Sequence, residues 1–206
     1  MKTFKPENQD YDKQHTQGRT LMDLREQILD TATQLFRTHG LNFTMQQVAS
    51  SLHISKKTIY TVYPGKEALL TDMVDMLFAK IHQRKAELAA GTDPLEKRLC
   101  AVLTALPEEY AALDFRRLDE LEEKYPAVAA RVHFQLATGW EPTLYLLEQG
   151  IQEGCIRPVN LTVLQKTLTA AFEAILSCAE DDNTSYASDL EDMIDIVMHG
   201  LKERDV

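Results

Sequence analysis

Apolar residues recur at intervals of three and four along most of the chain, which is the spacing of one buried face on a helix. From Leu21 to Phe36 this spacing predicts a helix that Gly40 terminates. It also predicts a helix from Lys66 to about Leu88. No segment shows the alternating pattern of a strand, so the sequence predicts an all-α protein.

Two short helices around a tight turn are predicted between these longer ones. Thr44 followed by Gln47 fits a capping box, so a helix starts at Thr44. Ser55 is a second N-cap candidate, and Ile59 and Tyr63 lie one turn apart on a face that can pack inward. Taken alone, this pattern fits a solvated amphipathic hairpin about as well as a DNA-reading motif.

The second short helix carries polar and basic residues on its other faces. Lys56 and Lys57 lie in its first turn, where the helix dipole disfavours a cation. A phosphate outside the protein would compensate for this placement. Lys57, Tyr60 and Thr61 occupy a different face from Ile59, so the sequence predicts a surface that reads a DNA major groove.

A longer run of residues resembles the TetR family of bacterial transcriptional regulators. It reads Arg25-x-x-Ile28-Leu29-x-x-Ala32-x-x-Leu35-Phe36-x-x-x-Gly40, then Thr44, Val48-Ala49, Ser55, Thr58-Ile59-Tyr60, Tyr63 and Lys66-Glu67-x-Leu69-Leu70. His53 stands where the family usually has glycine, and Val62 where it usually has histidine. Histidine enters the left-handed region at modest cost, so we expect His53 to serve in the turn. We assign no phosphate contact to Val62.

The resemblance implies an architecture: an N-terminal three-helix helix-turn-helix DNA-binding domain, joined by a long helix to a C-terminal helical ligand-binding and dimerisation domain. We place a flexible polar arm at 1–20, the DNA-binding domain at 21–68 and the second domain at 69–206. It also implies a homodimeric repressor that a small apolar or amphipathic ligand releases from a palindromic DNA operator. Control by a protein partner instead of a small molecule is the alternative.

The residues expected to contact DNA lie on and around the two short helices: Thr44, Gln46, Ser55, Lys56, Lys57, Thr58, Tyr60, Thr61 and Lys66. Those expected to anchor phosphates are Thr44, Ser55 and Lys66, with Tyr60 close to the DNA backbone. Those expected to face bases are Gln46, Lys57 and Thr61. Thr58 suits either role.

Glycine, proline and capping residues in the second half of the chain predict the boundaries of further helices. One runs from about Ala127 to Glu153, and Pro142 inside it is expected to kink it. Another runs from about Leu161 to Ala179, and Ser188 with Glu191 is expected to cap the last helix.

The second domain offers candidates for a ligand cavity, which mix apolar area with phenol and indole donors. They are Leu103, Tyr110, Phe115, Phe134, Trp140, Tyr145 and Phe172. Ordinary core packing accounts for most buried aromatic residues, and here it is the competing interpretation. Pro142 beside Trp140 is expected to free a backbone carbonyl and to open space next to the indole.

The last two helices carry wide apolar seams, which alone do not separate core from interface. The family resemblance implies that these helices pair between two subunits. The interface candidates are Leu168, Phe172, Ile175, Met193, Ile194, Val197 and Leu201.

Charge divides along the chain in agreement with this division of roles. Residues 1–70 carry a net charge of +2 and residues 71–206 a net charge of −12, within a total of −10. Only the first segment is therefore suited to approach phosphates. Because its basic patch is small, specific binding should need two copies.

Several classes of protein find no support in the sequence. No metal-ligand grouping, cofactor motif or recognisable catalytic spacing occurs, so we expect neither a metal nor a cofactor nor an enzyme. No apolar run has the length of a membrane span and no signal-peptide core is present, so we expect a cytoplasmic protein without membrane association. Cys100, Cys155 and Cys178 are interpreted as small core residues, and a redox switch is the alternative.

Overall fold

The structure is a computed structural model that describes residues 9–105, 117–177 and 186–202. Within these ranges it forms α-helices, one short 3-10 helix at Gly40–Asn42 and an isolated bridge between Ile156 and Lys202. The predicted all-α fold class is confirmed.

The helices are, in chain order, α1 Gln9–His39, α2 Met45–Ser51, α3 Lys56–Val62, α4 Lys66–Ala89, α5 Leu95–Leu103, α6 Leu118–Lys124, α7 Pro126–Ala137, α8 Glu141–Gln152, α9 Leu161–Ser177 and α10 Tyr186–Leu201. The chain divides into two compact units, Met1–Met73 and Val74–Val206, so the boundary falls inside α4. None of the helices that the structure describes combines the length and apolarity needed to cross a membrane.

The core of the first unit joins α1, α2, α3 and the first turns of α4. Its most deeply buried side chains, each at most 1 % exposed, include Ile28, Phe43, Val48, Ile59 and Leu69. Ile28, Val48, Ile59 and Leu69 come from predicted apolar helix faces, whereas Phe43 lies in the connection before α2. Burying each large aliphatic side chain contributes roughly 1.5 to 3 kcal/mol, so this small unit is stabilised by contacts among all four helices.

The second unit has a larger core, built mainly on α5, α8, α9 and α10. Its central residues are Leu99, Val102, Leu146, Leu147 and Leu168, each at most 1 % exposed. A smaller cluster holds α6, α7 and the end of α9 together and contains Leu118, Ala129, Val132 and Leu176.

The first helix begins earlier than its apolar pattern suggests. We expected a flexible arm over 1–20, whereas residues 9–20 are part of α1. This stretch contains no proline, and its one glycine, Gly18, costs a helix only about 1 kcal/mol. Polar composition alone therefore does not mark the start of the helix.

The region around Pro142 differs from the prediction of one kinked helix. α7 ends at Ala137, Gly139 adopts a φ of +68°, and Pro142 lies in the first turn of α8. Glycine supplies the left-handed conformation, and proline suits a first turn because that position needs no N–H donor. The predicted kink is therefore wrong.

The cysteines are less buried than expected. Cys100 is half-buried and Cys155 is exposed, while Cys178 lies outside the described residues. The interpretation of Cys155 as a core residue is wrong.

Candidate DNA-binding surface

α2 begins at a complete capping box. The Thr44 hydroxyl accepts a hydrogen bond from the Gln47 amide at 3.2 Å, and the Gln47 side-chain oxygen accepts one from the Thr44 amide at 2.7 Å. The side chains of Thr44 and Gln47 thus each accept a hydrogen bond from the backbone N–H of the other residue. Both N–H groups would otherwise be unpaired at the helix start. Gln46 projects into solvent from the first turn, as predicted.

The turn between α2 and α3 depends on a left-handed residue. His53 adopts a φ of +53°, and the amide of Ile54 donates to the carbonyl of Ala49 at 3.0 Å. This bond closes the end of α2 in the way that helix ends with a left-handed residue usually close. The prediction that His53 serves where glycine is usual is confirmed.

α3 is held by a hydroxyl cap and by a buried inner face. The Ser55 hydroxyl accepts a hydrogen bond from the Thr58 amide at 3.0 Å, and the two side-chain oxygens lie 2.8 Å apart. Ile59 is 0 % exposed and Tyr63 is 4 % exposed, which fixes the rotation of α3 about its axis.

That rotation leaves the other faces of α3 open to solvent. Lys56, Lys57, Tyr60 and Thr61 are exposed, and the Lys56 ammonium lies 5.8 Å from the centre of the Tyr60 ring. The first turn of α3 contains no acidic residue. Two cations therefore stand at the positive end of a helix, where an external anion is favoured.

Lys66 has a different environment from the one predicted. Its ammonium donates hydrogen bonds to the carbonyls of Leu41 and Phe43 and lies 4.4 Å from the centre of the Phe43 ring. These contacts join the start of α4 to the connection between α1 and α2. The Lys66 ammonium therefore binds carbonyl oxygens of the protein itself. The expectation from the sequence is instead that it anchors a DNA phosphate.

A network that the sequence pattern did not indicate lies behind α3. Asp72 accepts hydrogen bonds from the Arg25 guanidinium, with Nε to Oδ2 at 2.7 Å, and from the Tyr63 hydroxyl. Burial alone would raise the pKa of Asp72, but these hydrogen bonds outweigh it and hold the pKa below its ordinary value. Burial and the Asp72 hydrogen bond raise the pKa of Tyr63. The network therefore ties the end of α3 to α1 and α4.

The ligand candidates do not gather at one place. Leu103 and Trp140 are core residues, and the Phe172 ring packs 6.2 Å from the Trp140 ring. Phe134 and Tyr145 are each 55 % exposed, so the prediction that they line an internal cavity is wrong. Tyr110 and Phe115 lie outside the described residues.

Three of the seven predicted interface residues lie in the core of the second unit. Leu168, Ile194 and Leu201 are at most 4 % exposed, and they belong to the main core cluster. The remaining candidates are half-buried: Phe172, Ile175, Met193 and Val197. The large aliphatic residues of α9 and α10 that are exposed are instead Val163 and Ile196, at 58 % and 72 %. For Leu168, Ile194 and Leu201 the core interpretation therefore accounts for the apolar seam.

Two short helices are joined by a left-handed turn, and the second helix has a buried apolar face and an exposed polar face. This arrangement defines a helix-turn-helix DNA-binding protein. Residues 28–73 match the family model described as bacterial regulatory proteins, tetR family. The chain is a DNA-binding transcriptional regulator of the TetR family, and the resemblance seen in the sequence is confirmed.

Relatives and solved structures extend the likeness over most of the chain. An uncharacterized HTH-type transcriptional regulator, YvaF of Bacillus subtilis (strain 168), is 24 % identical over 184 residues, which cover 87 % of this chain and 95 % of YvaF. A TetR transcription regulator from Haloarcula marismortui has a TM-score of 0.71 at 19 % identity, covering 88 % of this chain and 100 % of that one. Thermus thermophilus FadR, a TetR-family repressor in complex with lauroyl-CoA, has a TM-score of 0.60 at 24 % identity, covering 88 % and 97 %. These structural likenesses show the fold.

Proposed function

We propose that the protein is a homodimeric repressor that reads a palindromic operator with α3 and leaves it when a small amphipathic ligand binds. The observation that supports this most directly is the solvent-exposed surface of α3, with Lys56, Lys57, Tyr60 and Thr61 outward and Ile59 inward. Basic and hydroxyl side chains on one helix provide both phosphate and base contacts.

Within this surface the roles divide by position. Lys57 and Thr61 lie one turn apart and are proposed to face base edges, with Gln46 contributing from α2. Thr44 and Ser55 are proposed to lie at phosphates. Their hydroxyls already cap α2 and α3, so a phosphate would meet amides and hydroxyls that are fixed before DNA arrives. Lys66 is omitted because its ammonium is directed at carbonyl oxygens.

Two copies are proposed because one basic surface is small. A dimer would set two α3 helices about 34 to 36 Å apart, one turn of DNA, or a multiple of that distance. The proposed pairing surface is the outer side of α9 and α10, where Val163 and Ile196 expose aliphatic side chains. Covering such side chains favours association.

The proposed effector is amphipathic, and the support comes from the FadR likeness. That repressor was solved with lauroyl-CoA, a molecule with an apolar chain and a polar head. In the present chain, the second unit carries the larger apolar core and no predicted DNA contact. A ligand there could release DNA only if it bound one arrangement of the two DNA-reading units better than another.

The test begins with selection of a preferred duplex from random DNA by the purified full chain. Binding of that duplex and of an unrelated duplex is then titrated over a range of salt. We expect a palindromic preference and a steep salt dependence. Equal affinity for both duplexes would contradict operator recognition, and failure of every acyl ligand to release the selected duplex would contradict the proposed control.

A further inference from the structure

Lys85 is a half-buried cation without an acidic hydrogen-bond partner. Its ammonium lies 5.3 Å from the centre of the Trp140 ring, and no hydrogen bond or ion pair joins it to another residue in the part of the chain that the structure describes. Burial lowers the pKa of Lys85 to about 8. Withdrawing an ammonium from water without an acceptor is costly, and such costs concentrate at functional sites.

A neutral donor lies one turn before Lys85 on α4. The His82 ring rests directly on the backbone of Gly139, where an added Cβ would overlap the imidazole. Burial lowers the pKa of His82, and the charge of Lys85 lowers it further. The imidazole is therefore mainly uncharged at neutral pH. His82 and Lys85 thus both approach the connection between α7 and α8.

The same connection leads into a helix start without a side-chain cap. Trp140 is the N-cap residue of α8, and its side chain makes no capping hydrogen bond. Pro142 in the first turn has no N–H to donate. Thr143, also in that turn, is 0 % exposed, and its hydroxyl has no hydrogen-bond partner among the described atoms. Trp140 and Thr143 lie three residues apart and therefore share a side of α8.

One carboxylate lies near this cluster but does not neutralise it. Glu141 acts on Lys85 and His82 through its charge and makes no ion pair with Lys85. Its side chain is exposed to solvent. The positive end of the α8 dipole also favours an anion at this place. The cluster therefore combines an ammonium, a neutral imidazole, a buried hydroxyl and an uncapped helix start.

We propose that Lys85 and the start of α8 bind the carboxylate head of an amphiphilic effector. The inference rests on the proposed control by an amphipathic ligand, and it adds that this ligand carries one negative charge at its head. Trp140 and Phe172, with ring centres 6.2 Å apart, supply an apolar wall beside the ammonium. A single charge fits best because one ammonium is present and Glu141 would repel a second charge.

Dodecanoate and 1-dodecanol test the head group, since they share a twelve-carbon chain and differ in charge. Calorimetric titration of the full chain, below the concentration at which dodecanoate forms micelles, should show tighter binding of dodecanoate. Lys85→Met keeps an unbranched stem without the charge and should weaken dodecanoate binding about 10- to 100-fold, the range expected for losing a hydrogen bond to a charged group. Binding of 1-dodecanol should change little.

Three further variants make the comparison specific. Lys97→Met removes an exposed lysine of α5 in the same unit and should leave dodecanoate binding unchanged. Lys85→Arg keeps the charge and should retain most of the affinity, which separates loss of charge from loss of folding. Glu141→Gln removes the neighbouring negative charge and should not weaken dodecanoate binding.

The outcomes distinguish two proposals: the anion site, which is the carboxylate site formed by Lys85 and the start of α8, and effector control, which is release of the operator by a ligand. Equal wild-type affinities for the two probes, no binding of dodecanoate, or a Lys85→Met variant that binds it as wild type would each overturn the anion site. Operator release is measured separately. Dodecanoate that binds through Lys85 without loosening the operator would support the anion site and contradict effector control. Release by both probes, unchanged in Lys85→Met, would support effector control and overturn the anion site.

Discussion

Trp140 donates its indole proton to the carbonyl oxygen of Leu136 at 2.9 Å. The indole N–H is therefore used within the connection between α7 and α8, and it is not the free donor that the sequence led us to expect. What Trp140 offers to a neighbouring group is the face of its ring, over which the Lys85 ammonium lies. An aromatic face attracts a cation but provides no hydrogen bond to an anion.

Lys57 is predicted to determine sequence preference. Lys57→Ala should cost about 1 to 3 kcal/mol on the selected operator and much less on unrelated DNA, as expected for a side chain that contacts a base. Parallel titrations on the two duplexes provide the measurement. Lys56→Ala, one residue earlier in the same turn, is the matched control and should weaken both duplexes similarly. Equal losses on both duplexes for Lys57→Ala would remove Lys57 from the base-reading set.

Lys66 is predicted to stabilise the fold rather than to contact DNA. Lys66→Met keeps the stem over the Phe43 ring but removes the donors to two carbonyls, so the free energy of unfolding should fall by about 1 to 3 kcal/mol. Denaturant unfolding measures this change. Lys57→Met loses an exposed lysine and should leave the unfolding free energy nearly unchanged. A Lys66→Met variant as stable as wild type, with weaker binding to every duplex, would instead restore the role of phosphate anchor.

Ile196 and Ile194 are predicted to respond differently to the same substitution. Ile196 is 72 % exposed, so Ile196→Asp should leave a folded chain and should dissociate the proposed dimer. Ile194 is 4 % exposed and packs in the core, so Ile194→Asp should bury an unpaired charge and unfold the second unit.

Sedimentation velocity and circular dichroism separate the two outcomes. An Ile196→Asp variant that sediments as the wild-type dimer would place the pairing surface elsewhere. If Ile194→Asp stayed folded, the packing described for α10 would be contradicted.

His133 is predicted to make stability depend on pH. Its two ring nitrogens lie 2.7 Å from Glu173 and 2.9 Å from Glu122, which joins α7 to α9 and α6. Hydrogen bonds to Glu173 and Glu122 raise the pKa of His133 above its ordinary value. Only the doubly protonated ring can donate to both carboxylates.

The direction in which stability changes with pH follows from the raised pKa of His133. The stabilisation is fully present below the unfolded-state pKa of about 6.5 and is lost as pH rises through the higher folded-state pKa. The side chain is 38 % exposed, so the effect should stay below about 1 kcal/mol. Unfolding of wild type and His133→Gln between pH 6 and pH 9 measures it. His199→Gln, whose partner Asp195 lies in the same helix, is the control, and a pH profile shared by wild type and His133→Gln would contradict the prediction.

Local features of the DNA-reading unit could be predicted because their causes lie within a few residues. The capping box of Thr44 and Gln47 and the cap at Ser55 involve partners three residues away. The tolerance of His53 for a left-handed conformation is a property of one residue. The Arg25–Asp72 pair spans 47 positions, and no periodicity signals it.

Burial in the second unit could not be predicted in the same way. Phe134 and Tyr145 belong to a residue type that is usually buried, yet the packing of α7 and α8 leaves them at the surface. Ile194 and Val197 belong to one predicted apolar seam, yet Ile194 lies in the core and Val197 is only half-buried. Which side of an apolar helix faces its own chain depends on neighbours that are distant in sequence.

Lys56 and Lys57, at the positive end of the α3 dipole, have a thermodynamic consequence. The free protein carries an unfavourable arrangement that a phosphate would relieve. Operator DNA bound as proposed would therefore raise the apparent stability of the folded state by mass action. A molecule released from its operator loses that stabilisation and unfolds more often. Release from DNA would therefore also shorten the lifetime of the regulator, because cellular proteases act on the unfolded chain.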